Sequence, residues 1–162
     1  MDRRARLLER LDDAWSAFNE SYAGLSDAEL LEPGVTGAWS VRDIIAHVTT
    51  WEDEALKHLP LILRGGTPPR YSIQYGGLDA FNARMTEAKA GLSLSEVRAQ
   101  AVETHRRLVD LIERTPDDQL RAGTRARRRL RLDTHGHYPL HAASIREWRG
   151  RSTRRTSERG SG

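Results

Sequence analysis

Leu8, Leu11, Trp15, Phe18 and Tyr22 recur at spacings of three and four, with Arg and Glu on the other positions. That period predicts an amphipathic helix whose apolar seam packs into a bundle. Gly24 ends it. Ser26-Asp27-Ala28-Glu29 then carries a capping box for a short helix, closed by Pro33-Gly34. Ser40 with Asp43 reads as the start of a second long helix. Val41, Ile44, Ile45, Val48, Trp51, Ala55, Leu59 and Ile62 keep its period as far as Gly65-Gly66. The stretch from Gly65 to Gly77 holds Pro68-Pro69 and Gly76-Gly77 and reads as a long connection, in which Tyr71, Ile73 and Tyr75 either cover an opening in the bundle or belong to a mere linker.

Leu78, Phe81, Asn82 and Met85 predict a helical segment ending near Gly91. A capping-box pair, Ser93 with Glu96, precedes a third long helix through Val97, Ala101, Leu108, Leu111 and Ile112, and Thr115-Pro116 stops it. An Arg-rich loop follows. The last helix must begin close to His137, because Pro139 is welcome only in a first turn, where its missing N–H has no partner to lose. The pattern is therefore all-α, a four-helix bundle in a single domain over residues 1–149, with 150–162 expected to be a disordered basic tail.

Charge alters this picture locally. The chain of 162 residues is +3 overall, but six arginines fall between Arg121 and Arg131 and five more follow from Arg149 onward. Without these two stretches the chain is net acidic. Neither stretch has interleaved aromatics or a docking motif, so no nucleic-acid partner is expected. The first residues lead into an amphipathic pattern, and no apolar run is long enough to span a bilayer. No membrane partner and a cytoplasmic location are therefore expected, and a homodimer stays open.

The chemistry lies in the histidines. His137 and His141 are four apart, which stacks two imidazoles on one helical face. The chain has no cysteine, so any metal must be held by His, Asp or Glu. The best third ligand is His47, set between Ile44 and Trp51 on an apolar strip where a polar ring is costly without a partner. His105, between Ala101 and Leu108, is the rival. Three neutral imidazoles with an open position suit Zn²⁺, Ni²⁺ or Fe²⁺ and leave room for a water or a thiol. Glu54, seven residues beyond His47, is either a general base on bound water or an exposed surface glutamate.

The segment Trp39-Ser40-Val41 through His47 to Trp51-Glu52, followed by His137-Tyr138, His141, Ile145 and Trp148, resembles the DinB/YfiT-like superfamily, and within it the ClbS/DfsB branch. The likeness runs from about Leu7 to Trp148. It implies an up-down-down-up bundle with a long crossover between helices two and three. It also implies a divalent metal on His47, His137 and His141. The activity implied is detoxification or self-protection: hydrolysis of an electrophilic small molecule, as in a branch member that opens the cyclopropane of a genotoxin, or its conjugation by a low-molecular-weight thiol. Should hydrolysis in this branch use pocket polar groups in place of an ion, Tyr138, Asp43 and Glu54 become the candidate catalytic residues. A non-catalytic bundle that sequesters its ligand is the alternative.

Overall fold

The computed structural model describes residues 2–159. Four long helices, α1 (Arg3–Ser21), α3 (Val41–Leu63), α6 (Leu94–Arg114) and α8 (Tyr138–Arg159), form the body, with α3 packed on α6 and α1 on α8. Four shorter ones connect them: α2 (Asp27–Leu31), α4 (Tyr71–Gln74), α5 (Leu78–Lys89) and α7 (Arg125–Asp133). A 3₁₀ turn at Asp117–Leu120 precedes α7. No β-strand occurs among the described residues, so the chain is an all-α helical bundle.

Local chemistry sets the boundaries. Capping boxes at Ser26–Glu29, Ser40–Asp43 and Ser93–Glu96 start α2, α3 and α6; in each the side chains satisfy two otherwise unpaired backbone N–H groups. Burial selects which face turns inward. Leu7, Leu11 and Phe18 of α1 are fully buried, whereas Leu8 and Trp15 are only partly so; the seam is shifted from the expected one and gains Leu7. Against them lie Ile44, Ile45 and Val48 of α3, Leu108 and Ile112 of α6, and Ile145 and Trp148 of α8. Each such side chain contributes about 1.5–3 kcal/mol on leaving water.

Two expectations are corrected. The Arg-rich segment is no loop but α7, capped by Thr124 and packed on α3 through Ala126 and Leu130. Arginine is a good helix former, and two buried apolar positions four apart are enough to dock a nine-residue helix. The chain also stays helical beyond residue 149, where a disordered tail was expected. Backbone helix continues to Arg159, supported by an Arg151–Glu147 ion pair one turn apart. Residues 160–162 of that tail lie outside the described residues.

The crossover is anchored on both sides. Arg42, almost fully buried, donates to the carbonyls of Lys89, Ala90 and Leu92 and pins the α5–α6 turn to the start of α3. Tyr71 packs against both Trp51 and Phe81, with ring centroids 5.6 and 5.0 Å away, while Ile73 is 81% exposed and covers nothing.

Candidate metal centre

The turn between α7 and α8 sets the position of His137. The His137 and Tyr138 N–H groups both donate to Thr134 O, and Gly136 N–H donates to Arg131 O. A Cβ on Gly136 would lie 2.6 Å from that same carbonyl oxygen, so only glycine lets the backbone close this tightly. Tyr138 then opens α8 with Pro139 in its first turn, and His141 stands one turn above His137. His47 enters from the second turn of α3.

These three rings converge. His137 Nε2 lies 3.2 Å from His47 Nε2 and 2.9 Å from His141 Nε2, and one ring nitrogen from each falls within 4.8 Å of the others. Hydrogen bonding alone leaves this arrangement unsatisfied, because a single Nε2 offers either one proton or one lone pair. It cannot serve two facing nitrogens well. Ligands about 2.0–2.1 Å from a tetrahedral ion sit about 3.3–3.4 Å apart; two of the three separations, 3.2 and 2.9 Å, lie near this and the third is within 4.8 Å. The donor set therefore fits a divalent metal, with all three nitrogens lone-pair donors to one point. Trp39 packs beside His47 and Trp51 beside His137, at centroid distances of 4.8 and 6.1 Å.

Electrostatics favours the ligand form. Burial lowers His47 to about 3, with His141, His137 and Lys89 adding repulsion; burial likewise lowers His137 to about 4, aided by His141, and His141 to about 4. All three are neutral at pH 7. The unfolded chain, with histidines near 6.5, takes up protons first as the pH falls. The stability each neutral ring confers is thus present above pH 6.5 and lost on the way down to its folded value. We expect the metal-free protein to lose stability relative to its His47→Gln variant between pH 6.5 and 4, by up to about 1.4 kcal/mol per pH unit. Urea unfolding of both proteins across that range measures it; a pH-independent difference would mean His47 is charged or solvated in the fold.

The other candidates are placed differently. His105 stacks on Trp15, centroids 4.0 Å apart, and its Nδ1 lies 2.8 Å from Glu52 Oε1, away from the triad. Tyr138 is fully buried and donates its hydroxyl to the same Glu52 oxygen. Burial raises both Glu52 and Tyr138 above their usual ranges. Asp43 accepts from Ser40 in the α3 capping box and pairs with Arg42, yet it lines a small cavity that reaches His47. Glu54 is buried, not exposed, and is held by Tyr71 Oη at 2.6 Å and His58 Nε2 at 3.0 Å.

One residue escaped sequence reasoning. Lys89, at the end of α5, lines the cavity beside His47, with Nζ 3.9 Å from Asp53 and 3.4 Å from Ala46 O. Burial lowers its pKa while Asp53 opposes the shift. A lone lysine in an amphipathic stretch gives no signal in sequence.

The fold and centre define an all-helical bundle carrying a three-histidine cluster between its second and last long helices. Residues 10–150 match the sequence model of the DinB superfamily, and the chain belongs to that superfamily. Among solved structures it is similar to "Sibling Lethal Factor Precursor - DfsB", at 19% identity and a TM-score of 0.77 over 92% of this chain and 96% of that one. It is also similar to the colibactin self-resistance protein ClbS, solved in complex with a dsDNA, at 19% identity and a TM-score of 0.75 over 89% and 93%. An uncharacterised protein from Escherichia coli UTI89 matches at 18% and 0.77 over 93% and 94%. The fold is thus of the ClbS/DfsB type. Comparison with curated proteins finds no match. No helix among the described residues is long and apolar enough to cross a membrane.

Proposed function

We propose that the protein is a self-protection or detoxification enzyme that opens or conjugates an electrophilic small molecule at a divalent metal held by His47, His137 and His141. The observation that carries the reading is the convergence of three neutral imidazole nitrogens on one point. A divalent ion there supplies Lewis acidity, toward water or toward a low-molecular-weight thiol. The chain, lacking cysteine, supplies no thiol of its own.

The remaining roles follow from position. His137, in the turn that leads into α8, and His141, in its first turn, fix two donors on either side of Pro139, and His47 brings the third from across the bundle. Trp39 and Trp51 shield the rings from bulk water. Lys89 is the cation on the cavity wall, placed to give a proton to the carbon or heteroatom released when a strained ring opens. Asp43, held by Ser40 and Arg42, orients that wall; Tyr138 and Glu54, turned to Glu52 and to Tyr71 with His58, act on packing and not on substrate.

At rest the cavity beside His47 is too small for either a stored ligand or a substrate. The cavity at His47 has about 10 Å³ of free volume, room for roughly one water, whereas a pocket that stores a drug-sized ligand takes about 300–1,000 Å³. Substrate must enter by displacing α5 side chains such as Met85 and leave again. Elemental analysis of the purified protein, followed by a time course on a cyclopropane or epoxide in large molar excess with and without added thiol, tests the reading. Several equivalents consumed per chain support it, with thiol dependence telling transfer from hydrolysis. Lys89→Met should keep the metal and lose turnover. Consumption that stops at one equivalent, or full activity after chelation, would sink it.

A further inference from the structure

Between α1 and α7 lies a second cavity, of about 320 Å³, walled by Arg10, Arg127, Arg128, Arg131 and His135 with the turn at Gly123. No carboxylate among the described residues pairs with any of these four guanidinium groups, although neighbouring Arg129 on the same helix is paired with Asp133. The Nη1 of Arg127 is buried and has no hydrogen-bond partner. Burial lowers the Arg127 pKa, and repulsion from Arg10 adds to the shift. A surface that merely seeks solubility would spread such charges over solvent. Here Arg10, Arg128 and Arg131 are exposed at the rim of a concavity whose wall holds the half-buried Arg127, and their mutual repulsion falls when an anion sits among them.

We propose that this cavity is an anion site that takes the phosphoryl dianion of a small molecule. Guanidinium groups match phosphate oxygens in bidentate geometry and remain charged at every working pH. The volume suits a phosphoryl group with a modest substituent, at the lower end of small-ligand sites. A nucleic-acid backbone fits less well: His135 is the one ring among the lining residues, and the charges converge on one hollow in place of following a track. The site opens separately from the cavity at His47 and stands or falls independently of the metal chemistry.

Titration calorimetry of the full chain with inorganic phosphate, at constant ionic strength against chloride, tests this. The expected result is saturation at one phosphate per chain, with affinity weakened about tenfold or more in Arg127→Gln and in Arg131→Gln. Arg131 is exposed, so its variant carries the test should Arg127→Gln fail to fold. Arg125→Gln, whose guanidinium bonds Gly66 O outside the cavity, should bind like the parent, as should His141→Ala, which excludes phosphate on a metal. A glycerol phosphate arm distinguishes a phosphate monoester, if tighter, from free phosphate, if equal. Heats that do not saturate, or affinities unchanged in both cavity variants, overturn the proposal. So does binding of duplex DNA with steep salt dependence that phosphate cannot compete away.

Discussion

Replacing His141 with alanine is expected to remove the metal from the purified protein and abolish turnover of the electrophile, while leaving the bundle folded. Loss of a residue that only orients a ligand costs about 10–100-fold in metal affinity, so loss of one of three ligands should cost at least about a hundredfold. The fold should tolerate it. His141 is only half-buried, and its ring contacts are with the other two histidines. Alanine also suits the first turns of a helix.

The matched control is His105→Gln. It should retain full metal content, because His105 faces Glu52 and not the triad. It should nevertheless destabilise the protein by about 1–3 kcal/mol, since a buried carboxylate loses its Nδ1 partner. Metal by elemental analysis and stability by urea unfolding separate the two variants cleanly. Full metal and activity in His141→Ala would mean the three nitrogens meet for packing alone.

Much of this was legible in the chain, and the failures have a pattern. Capping boxes and the three-four period are local, so Ser26–Glu29, Ser40–Asp43 and Ser93–Glu96 located three helix starts correctly. Pro139 fixed the start of α8 for the same reason, and thereby put His137 and His141 in register. His47 was found because a polar ring on an apolar strip needs a partner.

What escaped was tertiary. Tyr138 follows His137 directly, but successive helical residues point about 100° apart, so its hydroxyl reaches Glu52 instead. Glu54 shares the face of His47, yet two turns amount to about 10 Å along the axis, and there Tyr71 and His58 claim it. No spacing rule reveals that an arginine run will dock as a helix, or that Lys89 will arrive beside His47 from another element.

The largest stability effect is expected at Arg129. This side chain links three elements: it pairs with Asp133 one turn on, donates to Tyr71 Oη at 2.6 Å, and through Tyr71 reaches Glu54 on α3. Arg129→Met would leave Asp133, with only 3% of its side chain exposed, as a buried acid without its cation. Breaking a buried pair from one side costs about 3–5 kcal/mol. Asp133 has an escape. Burial already raises it to about 7 despite Arg129, so without the guanidinium it turns neutral at pH 7, and the loss should fall near the lower limit, about 3 kcal/mol. A carboxyl raised above its unfolded value stabilises most below about pH 4 and progressively less as the pH climbs through its folded value. The penalty of Arg129→Met should therefore shrink on acidification and grow toward pH 8. Removing both partners in Arg129→Met/Asp133→Leu leaves no buried charge and should recover most of the loss, so the double variant will be more stable than the first single one. Equal stabilities for the single and double variants would show that Arg129 serves the fold through Tyr71 and its alkyl packing, and that the ion pair with Asp133 contributes nothing.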